Sequence, residues 1–253
     1  MNVVSTALLT LIYLSFISLG LPDSVLGSAW PAMTVSLNAP LWGAGLIQML
    51  ISFCTIISSL NSARLIRKFG TGMMTCFGYC AVESTLGLWG ATYISQVRGV
   101  SEATAASFGA MFYIGITVGR AASGFMAMKL LPKQMVRLGQ ALLALGCVLM
   151  MIPAGSTLSG IGLVVCGLGC APIYPNIIQD TPVNYGAENS QAAIGVQMAF
   201  AYVGSTFLPS IFGALAGVGG YGWMPYFAMG ICAMMAVLFN IQKKIVETKV
   251  KTD

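Results

Sequence analysis

The sequence contains no histidine. This single absence removes zinc–histidine chemistry, Ser-His nucleophilic catalysis and any imidazole proton relay. No Gly-x-x-x-x-Gly-Lys nucleotide loop occurs either. Charge is scarce as well. Only 8% of residues are Asp, Glu, Lys or Arg, against roughly 25% in a soluble domain, so the chain cannot clothe itself in a water-facing surface. A hydrophobic content of 57% and a mean hydropathy of +0.84 agree with that. The chain reads as an integral membrane protein. Its net charge of +5 does not indicate nucleic acid, because no soluble basic face and no aromatic–basic pattern accompany it. There is no Cys-x-x-Cys. The cysteines fall in apolar runs, and Cys76/Cys80 and Cys166/Cys170 share helix faces with only Glu83 as a nearby acid. They are expected to be buried small hydrophobes rather than metal ligands, and no cofactor is expected. With no catalytic constellation in view, an enzyme is not expected.

What the chain does have is long apolar runs. A bilayer span needs about 20 mostly apolar residues, and breaks at Pro, Gly pairs and charge clusters leave eight candidates, at 3–31, 41–63, 73–96, 102–126, 134–152, 155–179, 189–216 and 222–242. The runs are too long and continuous for barrel strands. The expected fold is an all-α, polytopic membrane helical bundle of about eight transmembrane helices. Residues 1–20 lack a basic n-region and carry too long an apolar run for a signal peptide, so they are read as part of a first span. With an even helix count, eleven of the twelve basic residues fall on one face and only Arg98 on the other. By the positive-inside rule that face is the cytoplasm, which puts both termini inside a plasma or inner membrane.

One pattern repeats. The stretch "DSVLGSAW" at 23–30 lines up with "ESTLGLWG" at 83–90, so Asp23 and Glu83 take equivalent places on two spans of the same direction. The basic turn "ARLIRKFG" falls opposite "AMKLLPKQ" at a similar offset. Parallel repeats of this kind relate the halves of some transporters.

Several stretches then carry a family resemblance. They are "GLPDSVLGSAWPAM", "AGLIQ" at 44–48, "RLIRKFGTG", "YCAVESTLGLWGATYIS", "YIGITVGRAASG" at 113–124, "APIYPNIIQDTP" at 171–182 and "GVQMAFAYVGSTFLPSIFG" at 195–213. In this order they resemble the major facilitator superfamily, and most closely its fucose/glucose/galactose permease-like branch. That family has twelve helices in two six-helix halves. Here the first two spans resemble its first two helices, and the third onward resembles its seventh to twelfth. The family's helices three to six have no counterpart, with the join between Gly72 and Tyr79, and "NSARLIRKFG" lacks the acidic residue of the usual signature. The implied architecture is a shortened major-facilitator-like fold, with a two-helix partial half over 1–75 and a six-helix C-terminal half over 76–253.

The resemblance implies secondary active transport of a sugar-like small solute by alternating access, coupled to H+ or Na+. A truncated, non-transporting remnant or membrane interaction partner, left by an internal deletion, is the alternative. A homodimer completing its own bundle is a third arrangement. The partners expected are the solute, the ion and the lipid bilayer, and not nucleic acid.

An ionised carboxylate at the bilayer centre costs about 2.5–3.5 kcal/mol on insertion scales, so such groups normally face a cavity or a partner. Glu83 lies about 15 Å into its span at 1.5 Å per residue, near the midplane. Asp23, after Pro22, lies nearer the outside. Each carboxylate is a candidate proton carrier or sugar-hydroxyl acceptor. The resemblance assigns proton or cation coupling to Asp23 and substrate contact to Glu83, with Glu83 also a coupling candidate. Further substrate-binding candidates are Gln48, Trp89, Tyr93, Tyr174, Asn176 and Gln197, since aromatic faces pack on a sugar's C–H surface while amides bond its hydroxyls. Packing or interfacial anchoring explains each of them about as well. Pro172 and Pro175 are expected to interrupt their span. Arg120 is expected to snorkel to the interface, Asp180 and Glu188 to be solvated loop charges, and Gly115/Gly119 and Gly213/Gly217 to mark close helix packing.

Overall fold

A backbone crossing hydrocarbon must satisfy its own polar groups, and the apolar runs accordingly fold as helices. A computed structural model describes residues 72–252 and, before them, Met49, Leu50 and Phe53. The span expected at 3–31 and, apart from those three residues, the span expected at 41–63, with Asp23 and Gln48, lie outside the described residues. Contacts divide the chain into two compact units, Met1–Phe53 and Cys54–Asp253, and the helices below belong to the second.

They are α1 (Gly72–Arg98), α2 (Glu102–Met126), α3 (Pro132–Met151), α4 (Gly155–Cys170), α5 (Ile173–Tyr185), α6 (Ala187–Gly219) and α7 (Met224–Thr252), with a 3-10 turn at Tyr221–Trp223 before α7. No strand occurs among the described residues. Six rods therefore stand where six spans were expected, α4 and α5 forming one broken rod. The domain boundary drawn between 75 and 76 falls in the first turn of α1.

By length and composition, four segments can cross a membrane: Pro132–Met151, Gly155–Tyr185, Ala187–Gly219 and Tyr221–Ile241. The helices α1 and α2 are not among them. They carry Glu83 and Arg120 along with many Gly, Ser and Thr, which lowers their hydropathy. α1 packs on α6, α7 and α2 and is mostly buried or half-buried, whereas α2 packs on α4 and α1 along one stripe and leaves most of its other side chains exposed.

The break falls at Pro172, which cannot donate to the preceding turn, whereas Pro175 sits in the first turn of α5, where a missing N–H costs little. The broken rod runs on to Tyr185, beyond the expected end at 179. Asn184 Nδ2 donates to Asp180 Oδ2 (2.9 Å) and buried Thr181 Oγ1 donates to Gln197 Oε1 (3.0 Å), tying the last turns to each other and to α6. Asp180 is thus a helical residue with a partner.

α4 has the tightest surroundings. Gly160 and Gly167 face α2, while Gly162 and Gly169, also seven residues apart, face α3. A Cβ on Gly169 would lie 2.5 Å from Leu143 N, and one on Gly146 would lie 2.7 Å from Gly162 O. Seven residues are nearly two full turns, so each pair lines one face. Small residues let the backbones touch where no hydrophobic driving force separates protein from lipid. Gly115 and Gly119 pack in the expected way, against Val164 and Leu168 of α4. Gly213 instead makes room for the Trp89 ring, and Gly217 borders open space.

Arg98 closes one end of the bundle. Its guanidinium donates to Met150 O (2.7 Å), Ile152 O (2.9 Å) and Ser159 Oγ (2.8 Å), satisfying carbonyls at the C-terminus of α3 that have no helical partner. Hydrogen bonds to charged groups are worth about 1.5–3 kcal/mol net. Arg98→Ala is therefore expected to destabilise the protein by about 2 kcal/mol and to lower the midpoint of thermal unfolding in detergent by about 4–8 °C. An unchanged midpoint would show that these bonds merely replace water.

Candidate functional site

A helix with a carboxylate at midspan needs somewhere for that group to face. Glu83 faces a cleft of ≈ 210 Å³ bounded by α1, α2, α5 and α6. From α1 come Tyr79, Cys80 and Glu83, three successive points on one helix face. α2 supplies Arg120, and α5 supplies Tyr174 just after the Pro172 break. Tyr202 and Ser205 come from α6, one turn apart.

The electrostatic centre is the pair Glu83 Oε1–Arg120 Nη2 at 3.9 Å. This is an ion pair at the edge of direct contact, so both groups keep hydrogen-bonding capacity for a third party in the cleft. The Glu83 side chain is 25% exposed and that of Arg120 55%, which leaves both reachable from the opening. Tyr79, one turn before Glu83, directs its hydroxyl to the carboxylate. The Tyr79 and Tyr174 rings stack at 5.7 Å with an interplanar angle of 22°, and Tyr174 Oη donates to Met198 Sδ. The result is a flat aromatic wall beside an anion–cation pair.

Of the candidate residues, the cleft brings together Glu83 and Tyr174. Trp89 lies two turns along α1, donating Nε1–H to Pro209 O (2.9 Å) and packed on Phe212 and Tyr221. Tyr93 is 2% exposed, donates to Met150 O (2.6 Å) and accepts from Arg98. Buried Asn176 donates to Pro172 O (2.6 Å), a carbonyl near the helix break. Gln197 is 1% exposed and accepts from Thr181. These four are engaged with the protein itself.

Arg120 does not simply snorkel: α2 turns it into the cleft toward Glu83. Sequence reasoning also passed over Tyr79, Tyr202 and Ser205. The spacing of Tyr79 and Glu83, four residues apart on one helix face, was a signal for the first of these. Nothing in the sequence marks which face of α6 meets α1. Cys76, Cys166 and Cys170 are fully buried, as expected of small hydrophobes, whereas Cys80 borders the cleft.

The profile of the Major Facilitator Superfamily matches residues 72–251. None of the curated protein sequences matches the chain. Among solved structures, it is similar to a Major Facilitator Superfamily transporter, FucP, in the outward conformation (TM-score 0.60, 15% identity, covering 73% of this chain and 44% of that one). A variant of the E. coli fucose:proton symporter FucP matches at TM-score 0.60 and 14% identity, over 73% of this chain and 45% of that one. A mutant of the peptide transporter POT in complex with alafosfalin matches at TM-score 0.59 and 17% identity, over 70% and 37% respectively. The chain thus spans less than half the length of each of these proteins.

Proposed function

Since the chain belongs to the major facilitator superfamily, we propose that it is a secondary transporter of the fucose permease-like branch, moving a sugar-like small solute with a proton. Residues 76–253 act as the C-terminal half and residues 1–75 as a partial N-terminal half. The observation that carries this reading is the Glu83–Arg120 pair in an aromatic-walled cleft. The similarity to a fucose:proton symporter supports both the solute class and the ion.

The cleft suits this chemistry in three ways. The half-buried Tyr174 ring, backed by the buried Tyr79 ring stacked against it, offers an apolar face to a sugar's C–H surface. The carboxylate of Glu83 accepts from hydroxyls and the guanidinium of Arg120 donates to them, so a polyhydroxylated solute is held at both ends. The long separation of the pair allows protonation of Glu83 to release Arg120 entirely, altering the site's charge in the step that admits the solute. Binding that differs between two states is the only way an ion can bias the equilibrium between them.

Uptake in proteoliposomes tests this directly. A panel of labelled sugars is offered under an imposed proton gradient, a sodium gradient, or neither. The expected result is accumulation of at least one sugar with the proton gradient, abolished by a protonophore. Accumulation with the sodium gradient alone would reassign the ion, and no uptake in any arm would reject transport.

A further inference from the structure

A second cavity lies away from the cleft, on the face where α3 meets α7. It is a groove of ≈ 600 Å³ whose α3 wall presents Arg137, Gln140, Ala141 and Ala144. This is an i, i+3, i+4, i+7 spacing on a single helix face. Arg137 and Asn240 stand at its mouth, with Arg137 Nη2 donating to Asn240 Oδ1 (3.1 Å). The floor is alanine, including Ala236 of α7, and these small side chains leave space between two helices that would otherwise close.

The groove also holds an anomaly. Gln140 is 7% exposed, and its Nε2 has no hydrogen-bond partner. Its backbone carbonyl accepts from Cys232 Sγ (3.5 Å), but nothing serves the side-chain amide. A buried amide donor left unmet is costly. An acceptor from outside the chain answers this need. Arg137, which spends one of its five N–H groups on Asn240, asks for acceptors too.

We propose that the groove is a binding site for a glycerophospholipid of the leaflet on the side that carries Lys129, Lys133 and Arg137. The phosphate sits on the Arg137 guanidinium, an ester carbonyl accepts from Gln140 Nε2, and one acyl chain lies along the alanines below. The depth order agrees. Gln140 is about 4.5 Å further along α3 than Arg137 and Ala144 about 10 Å further, so charge, amide and apolar floor follow phosphate, ester and chain. Charge complementarity favours lipid over a second copy of the chain. A two-fold interface would set this face against itself, opposing Arg137 with Arg137 and donors with donors, whereas a phospholipid brings an anion and several acceptors.

Native mass spectrometry of the detergent-purified full chain with added phosphatidylglycerol tests the site, alongside diacylglycerol of the same chains. One phosphatidylglycerol is expected to survive delipidating detergent on the wild type, diacylglycerol to bind far less, and Arg137→Gln combined with Gln140→Leu to lower occupancy about tenfold. Phosphatidylglycerol carrying a diazirine on one acyl chain is expected to label α3 and α7 residues of the groove in the wild type. Equal occupancy in the variant, label scattered over the bundle, or a dimer that the double substitution dissolves would each overturn the proposal. If the double variant does not fold, the label map on the wild type decides alone.

Discussion

Glu83→Gln is expected to abolish gradient-driven accumulation while leaving solute exchange across the membrane measurable. The substitution keeps the shape and hydrogen-bonding reach of the side chain and removes only its charge and its proton. One charge moved through 100 mV carries about 2.3 kcal/mol, which sustains about a fiftyfold concentration ratio. Without a titrating group that ratio should collapse toward one, whereas counterflow of labelled against unlabelled solute, which needs no net proton movement, should fall much less. Unfolding would not explain the loss. The pair is separated by 3.9 Å and Arg120 is 55% exposed, so its contribution to stability is of the order of 0–1 kcal/mol. Glu83→Asp, which retains the proton but shortens the reach, is expected to recover part of the accumulation. Full accumulation by Glu83→Gln that a protonophore still dissipates would move coupling to another group. Asp23, which stands in the equivalent place of the repeat, would be the next to test.

The second large effect concerns the fold. Gly169→Leu is expected to prevent assembly of the bundle. A Cβ there would lie 2.5 Å from Leu143 N and 2.8 Å from Gly139 O. Those are backbone atoms of α3, which cannot rotate aside as a side chain can. Overpacking costs typically 1–3 kcal/mol where side chains can give way. Here a whole helix must move, and the same helix face touches again at Gly162 and Gly146. The expected cost exceeds about 3 kcal/mol, visible as loss of a monodisperse peak in gel filtration or a large fall in the unfolding midpoint. Gly217→Ala is the matched control. Nothing lies within 4 Å of a Cβ at that position, and removing a helical glycine should be neutral or add up to about 1 kcal/mol. A Gly169→Leu protein with a wild-type midpoint would show that α3 and α4 are less closely apposed than described.

Both expectations depend on features that were unequally legible in the chain. Hydropathy placed six rods among the described residues, because each long apolar run has no stable alternative to a helix in hydrocarbon. It ended the broken rod six residues and α7 ten residues too early, where polar residues continue the helix. A break near Pro172 was legible because a residue without an N–H weakens a helix locally, but Pro182 and Pro209 lie inside continuous helices, so proline alone does not say which rod breaks. Glu83 stood out as a carboxylate at midspan, and the ordered motifs indicated the family. These are properties that one residue or one run carries by itself.

What a side chain faces depends on which helix lies opposite, and periodicity does not encode that. Tyr93 and Gln197 were as good candidates as Tyr174 by residue type and position. Packing buried the first against Met150 and Arg98 and the second against Thr181, and left Tyr174 in the cleft. Arg120 looked like an interfacial cation until the apposition of α1 and α2 brought it to Glu83. The glycines of α4 were visible as letters, but only the backbone approach of α2 and α3 showed why no larger residue fits. The sequence by itself determined the solvent, the helices and the charged group that must be accommodated. The tertiary structure decided the partners, because a partner is set by distances between helices far apart in the chain.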